Sequence, residues 1–427
     1  MNGASVRAGI VVTGTEVVTG RVTDRNGPWI SEQLGELGVD VAQILCVGDR
    51  VEDLEGALAF LADQGADLIV TSGGLGPTAD DKTAEAVGRF AGRELILDPD
   101  MEKKIAEILA RFARRLRFDP DALREANRKQ AMVPRGATTI DPAGTAPGLV
   151  VPTSGPTVIV LPGPPRELQA MWRAALESEP AQGVLLRAAP FRGYTLRLLG
   201  LPESEIAKTL REVEREADLS ALEITTCLRG GELEIDVRHR EGAEAAADAV
   251  RDAMLKHHGR YLFSNDGTTI DEQVAGLLNG HWLGLAESCS GGLLAARLTR
   301  VPGASKYLAG SVVAYSNEAK SSLLGVDPAL VERHGAVSPE VAEAMADGAL
   351  ERFDADVAVS ITGIAGPEGG TEGKPVGYVC FCARLAGGRS LARDPVIPGG
   401  REDIRERSAL VGLHMLRILL TGDEPPL

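Results

Sequence analysis

DLIVTSGGLGPTADDKT, residues 67–83, is the stretch whose reading decides the fold of the first third of the chain. Residues 67–72 form an apolar run that reads as a buried strand. Gly73-Gly74-Leu75-Gly76-Pro77-Thr78 then breaks any regular structure, and Asp80-Asp81-Lys82-Thr83 opens a helix, with acids where the helix dipole favours them. The same alternation continues on both sides. Residues 7–12 are apolar and end in Thr13-Gly14-Thr15-Glu16. A helix is expected over 26–37 with Pro28 near its start, a strand over 39–47 and a helix over 51–64. Residues 101–129 read as a helical insertion. Residues 157–161 read as a further strand, running into Pro162-Gly163-Pro164-Pro165-Arg166-Glu167 and a helix. Strands and helices in alternation predict an α/β fold with a mostly parallel sheet covered by helices.

Ligands of such sheets bind in the loops that follow the strands. Free backbone N–H groups in a Gly-rich loop before a helix suit phosphate oxygens. Asp80 and Asp81 beside that loop can hold a hard divalent cation through oxygen, joined by Glu16 and Asp24 if their loops come close. The plainer alternative is that the two aspartates cap a helix.

A length of 427 residues suggests about three domains. The formal charge of −16 argues against nucleic acid as a partner, since phosphate backbones need a basic face. No secretory signal and no membrane-spanning run is read in the chain. Cys46, Cys227, Cys289, Cys380 and Cys382 are odd in number and scattered, which fits a reduced cytoplasm. Cys380 and Cys382 share a face of one strand-like run and read as small core residues, with no second Cys/His pair for a metal.

Residues 173–262 predict a small βαββα unit. A strand over 191–199 and a charged helix over 203–216 come first. Strands over 222–228 and 233–238 follow, joined by Arg229-Gly230-Gly231-Glu232, then a helix over 243–257. This unit carries no catalytic constellation and reads as a spacer or dimerisation module. Residues 264–267 read as the linker to a last α/β segment, 265–427.

In that segment a strand over 282–286 runs into Glu287-Ser288-Cys289-Ser290-Gly291-Gly292 and a helix, an anion pocket or a nucleophile turn. Ser305 follows a Pro-Gly turn. A strand is expected over 310–316, with Asn317 as helix N-cap and Lys320 in the first helical turn. The helix dipole and burial both lower the pKa of a lysine placed there. A neutral lysine near a serine is a general base beside a nucleophile. Ser305, Lys320 and Tyr315 are therefore the leading set for amide hydrolysis, with Ser288 as rival nucleophile and Lys306 as a second possible base. The plainer alternative makes Lys320 a solvated helix residue and Tyr315 a core residue. A strand over 356–361 leads into Thr362-Gly363-Ile364-Ala365-Gly366-Pro367, whose N–H groups can stabilise an oxyanion. Arg401, at the start of the last helix, conflicts with the dipole unless an anion sits there or a neighbouring acid such as Glu402 or Asp403 pairs with it.

GTEVVTG…DRN, SGGLGPTADDKT and LPGPPREL, in this order, resemble the N-terminal domain of the CinA family (competence/damage-inducible protein A). ESCSGG, PGASKYLAGSVVAYSNEAK, GAVSPEVAEAMA, SITGIAGPEGG and GGREDIR resemble its C-terminal domain. The resemblance implies three domains. Residues 1–172 would be a molybdopterin-binding-like three-layer α/β/α domain, 173–262 a small KH-like α+β domain, and 265–427 an α/β/α domain similar to nicotinamide mononucleotide (NMN) deamidase. For the first it implies metal-dependent hydrolysis of ADP-ribose to AMP and ribose 5-phosphate. The pyrophosphate would lie near Gly73, Gly74, Gly76 and Thr78, with Glu16 and Asn26 on the substrate and a divalent metal at Asp80, Asp81 and Asp24. For the last it implies deamidation of NMN to nicotinate mononucleotide and ammonia, without a cofactor. Ser305, Tyr315 and Lys320 take the catalytic positions and Ser288 the serine of the ESC motif. Gly291, Gly292, Thr362, Gly363 and Gly366 line the substrate, and Arg401 holds its phosphate. Ser290 stands where the family usually has threonine, which keeps the hydroxyl. A cytoplasmic homodimer acting on small molecules is the expected state; an acidic helix and the lack of a GxxG clamp argue against RNA binding by the middle domain. Binding of molybdopterin or a nucleotide without hydrolysis is the alternative for the first domain.

Overall fold

Strands that are apolar along their whole length must be covered on both faces. The computed structural model, which describes residues 6–113 and 120–423, covers them with helices in two units divided after Arg192. The first unit holds a six-stranded sheet. Its order is Asp40–Val47, Arg7–Thr13, Leu68–Ser72, Thr157–Leu161, Gly148–Val151, Thr138–Ile140. The first four strands run parallel and the last two pair antiparallel at one edge. Successive strand residues face opposite layers. Ile10, Val70 and Ile159 pack on Ile30, Leu34 and Leu168. Val11, Ile69 and Val158 pack on Leu54, Leu58 and Val87.

The first unit extends past the expected boundary at 172, because Ala175, Ala181 and Val184 belong to one of its apolar clusters. A cut at 172 would pass through the helix Pro165–Leu176. The helical insertion comprises the helices Pro99–Ala113 and Pro120–Gln130; residues 114–119 of the expected helix lie outside the described residues.

The second unit begins with a four-stranded sheet in the order Leu222–Arg229, Glu232–His239, Arg192–Leu199, Leu262–Ser264. The helices Glu203–Val213 and Glu244–His258 cover it through Ile206, Val213, Val250 and Met254. This module does not stand apart from the segment that follows. Leu199 and Phe263 lie in one apolar cluster with Ile270, Leu285 and Leu410. His414, fully buried in the C-terminal helix Arg401–Thr421, bonds Glu232 of the module at 2.7 Å and meets the Phe263 ring edge-on.

The last sheet has the order Leu308–Val313, Leu283–Glu287, Val357–Gly363, Val379–Leu385, Ser390–Arg393. The first three strands are parallel and end at one edge. Ile270–Leu277, Leu293–Leu298 and the C-terminal helix cover one face. Asn317–Leu324, Pro328–His334 and Pro339–Phe353 cover the other. Cys380 and Cys382 are buried in this second layer as small apolar residues. Among the described residues no helix is long and apolar enough to cross a membrane.

The helix Asn317–Leu324 begins one residue earlier than expected, in that Ser316 is its N-cap and accepts from Ala319 N at 3.1 Å. It approaches Pro339–Phe353 so closely that a Cβ on Gly348 would stand 1.9 Å from the Leu324 carbonyl oxygen. Gly348→Ala should therefore lower stability by about 1–3 kcal/mol, read as a lower urea midpoint by circular dichroism. An unchanged midpoint would contradict the close helix contact.

Candidate functional site

Parallel neighbours deliver their C-terminal ends to the same edge of a sheet. Leu283–Glu287 ends there in the turn 288–292, and Leu308–Val313 ends there before the helix that carries Lys320. Lys320 is 2% exposed; its Nζ lies 3.1 Å from Ser288 Oγ and donates to the Ala314 carbonyl at 3.0 Å. Among the described residues no carboxylate pairs with it. Burial pushes its amine below the ordinary lysine value. Burial also pushes the neighbouring Cys289 thiol up to about 12, so the cysteine stays protonated and inert.

The hydroxyl that Lys320 reaches is thus Ser288 and not Ser305. Ser305 lies exposed in the short 3-10 turn Ala304–Lys306, with Lys306 beside it. The strand Leu308–Val313 separates that turn from the helix of Lys320. Six strand residues span about 20 Å, which puts Ser305 at the start of the strand and Lys320 past its end. Tyr315 is also displaced from the expected relay. It is 59% exposed, and its hydroxyl accepts from Arg401 Nη2 at 2.8 Å.

Arg401 also donates to the Gly366 carbonyl at 2.7 Å. Both acceptors are neutral. The acids that were candidates to pair with it are engaged elsewhere: Glu402 with Arg405, Asp403 with the Gly400 N–H. Arg401 therefore presents a guanidinium without a carboxylate at the start of a helix, an anion site beside the Ser288 edge. Thr362 is buried, donates to the Ala336 carbonyl and braces a loop rather than lining open space. Gly363 has no room for a side chain, since a Cβ would meet Val379 and Cys289 within 3 Å. Gly291 and Gly292 take positive φ in the turn after Ser288.

Glu287 was not singled out in the sequence, yet it organises this turn. It is fully buried, and its carboxylate accepts from Ser290 Oγ, Leu294 N, Ala295 N and Ser311 Oγ at 2.8–3.2 Å. These are the N–H groups that would otherwise hold an anion at the start of Leu293–Leu298. An internal carboxylate fills that position, so a substrate phosphate is left with the Arg401 side. The available signal was an acid closing an otherwise apolar strand.

In the first unit a cleft of about 380 Å³ lies along the loops after the strands. Gly73, Gly74 and Gly76 line it, with Glu16, Asp80 and Asp81. Asp49 and Glu167, not singled out as site residues, line it too. Burial raises the pKa of Glu167. Gly74 must be glycine, for its φ is 65° and a Cβ would stand 2.1 Å from Thr83 Oγ1. Thr78 is not on the lining; its N–H and hydroxyl both donate to Asp81 Oδ2. Asn26 is buried and donates to Ser72 Oγ and the Gly163 carbonyl, tying loops together. Asp24 does not join the other aspartates: it accepts from the Asn26 and Gly27 N–H groups and caps a helix start.

The lining carries five carboxylates and no lysine or arginine. Among the described residues no group of three or more His, Cys, Asp or Glu converges for a metal. Two carboxylates at Asp80 and Asp81 do suit a hard cation of the magnesium type, which takes one or two carboxylates and completes its shell with water and substrate phosphate.

The family model "CinA C-terminal domain" matches residues 268–420, and "Probable molybdopterin binding domain" matches residues 9–181. The chain is 59% identical to a "CinA-like protein" of Mycobacterium sp. (strain JLS), over 97% of this chain and 98% of that one. It is 56% identical to a "CinA-like protein" of Mycobacterium tuberculosis, over 98% of each. Among solved structures, the competence/damage inducible protein CihA of Agrobacterium tumefaciens is 39% identical, with a TM-score of 0.34, over 36% of this chain and 95% of that one.

The depressed pKa of Lys320 carries a stability signature. Its folded value lies below the ordinary 10.5, so between the two values the unfolded chain binds a proton that the folded protein does not. Stability is lost as pH falls through that window. Lys320→Met removes the effect. Its advantage in Tm over the native chain should be largest near neutral pH and shrink as pH approaches 10.5. A difference independent of pH would mean that Lys320 stays charged in the fold.

Proposed function

Because the chain belongs to the CinA family, we propose that it is a hydrolase that recycles pyridine nucleotides. Its last segment would deamidate nicotinamide mononucleotide and its first unit would hydrolyse ADP-ribose. The observation that carries the first activity is the amine of Lys320, buried without a counter-ion against Ser288 Oγ. Such an amine is neutral more readily than an ordinary lysine and can act as a base at moderate pH.

Lys320 takes the Ser288 proton as Oγ attacks the carboxamide carbon. Backbone N–H groups of the Gly-rich turn stabilise the oxyanion. The same amine returns the proton to the leaving nitrogen, and ammonia departs from an acyl-serine ester. Water then attacks the ester, giving its proton to Lys320. The C–O bond to Ser288 breaks, releasing the carboxylate and restoring the serine. Arg401, braced by Gly366 and Tyr315, holds the phosphate.

For the first unit, the support is a Gly-rich phosphate-type loop facing carboxylates in one cleft. A pyrophosphate entering among five carboxylates needs cations to offset the repulsion. Asp80 and Asp81 would hold a divalent metal, which would supply that charge and polarise phosphorus. Thr78 holds Asp81 in place, and N–H groups of the glycine loop receive phosphate oxygens. A second reading, pterin or nucleotide binding without hydrolysis, is favoured by the match to the molybdopterin-binding description.

Ammonia release from NMN tests the last segment. The native chain should release it, and Ser288→Ala and Lys320→Ala should lose about 10³-fold or more. Ser305→Ala should retain most of the rate. No release by folded native protein removes the deamidase reading; loss in Ser305→Ala with Ser288→Ala active returns the nucleophile to Ser305. AMP release from ADP-ribose tests the first unit. It should need a divalent metal, stop with a chelator and fall in Asp80→Asn; binding without AMP favours the second reading.

A further inference from the structure

The C-terminal helix carries a second arginine one turn beyond Arg401. Residues four apart on a helix share a face, and Arg405 faces the same edge of the sheet. Its side chain is 25% exposed. Nη1 is held by Glu402 at 2.9 Å, and Nη2 donates to the Ser290 carbonyl at 3.3 Å. The same nitrogen stands 3.3 Å from where a Cβ on Gly291 would lie. The guanidinium therefore lies flat against the turn 288–292, at a place that glycine leaves open.

Other contacts hold that turn from the sheet side. The Ser288 N–H donates to the Ile361 carbonyl at 2.8 Å, and Ser290 Oγ donates to Glu287. Arg405 contacts it from the helix side, where Ser408 also meets Cys289. Without Arg405, the helix bearing Arg401 loses its hold on the Ser290 carbonyl.

We propose that Arg405 is a positioning residue. By holding the Ser290 carbonyl from the C-terminal helix, it keeps Ser288 in register with both Lys320 and the anion site at Arg401. The inference rests on the deamidase reading for its substrate, but its geometry concerns the reactivity of Ser288 itself. A small displacement of a nucleophile reduces turnover far more than it reduces binding.

The test compares Arg405→Ala, Arg405→Lys and Arg401→Ala in the full chain. With NMN, Arg405→Ala should lower kcat about 10- to 100-fold with KM within about twofold. Arg401→Ala should instead raise KM. Arg405→Lys, which can still reach one carbonyl, should recover part of kcat. A substrate-free measurement runs in parallel: the rate at which a fluorophosphonate labels Ser288, followed by intact mass, with Ser288→Ala as blank. Labelling should slow in Arg405→Ala by a similar factor while Tm stays near that of the native chain. If NMN is inert but labelling of Ser288 slows, the deamidase reading fails and the role of Arg405 stands. Unchanged kcat and labelling in Arg405→Ala overturn the proposal, as does a rise in KM alone, which would make Arg405 a phosphate ligand. Loss of Tm in parallel with rate, without recovery by lysine, reduces it to a packing residue.

Discussion

The 3.1 Å approach of Lys320 Nζ to Ser288 Oγ joins two segments whose directions are set by different parts of one sheet. Ser288 follows the second strand of the five, Leu283–Glu287, and Lys320 follows the edge strand beside it. Ser316 fixes where the lysine helix starts, and Gly348 lets the helix behind it approach closely at Leu324. A sealed amine without an anion is disfavoured as a cation. In the proposed deamidation the base is that same neutral form, so the environment that costs stability is the one that would make it reactive.

The two halves of the chain treat acids in opposite ways. Glu287 is buried and met by four donors, which takes up the Leu294 and Ala295 N–H groups at the start of their helix. In the first unit, Glu16, Asp49, Asp80, Asp81 and Glu167 line a cleft, and the nearby cation is Lys129, whose charge acts on Asp80 and Asp81 from outside the lining. One site thus presents a guanidinium that is held by neutral acceptors, and the other a cleft lined by carboxylates.

Much of the architecture was legible because buried parallel strands are written as apolar runs and their loops as glycines. The strand Leu68–Ser72, its Gly loop and the hairpin at Arg229–Glu232 need only local chemistry. The lowered pKa of Lys320 was legible for the same reason. The partner of that lysine was misread, although the strand expected between Ser305 and Lys320 already placed them at opposite ends. Asp24 and Asn26 looked like ligands, but hydrogen bonds to neighbouring backbone and to Ser72 and Gly163 occupy them. Contacts of that kind join residues far apart in sequence and leave no local periodicity. The boundary near 172 was misplaced on the same grounds, since Ala181 and Val184 declare their allegiance only once the core is assembled.

Leu199 and Phe263 share a core with Leu410, and Glu232 meets the buried His414. The linker read at 264–267 looks like a natural place to divide the chain, but it joins parts that share an interior. A fragment beginning there would expose an apolar wall and leave an imidazole facing water on the helix that starts with Arg401. The compact unit that holds Ser288 runs from Gly193 to Leu427, so the small four-stranded module is one folded body with the segment after it and not an appendage.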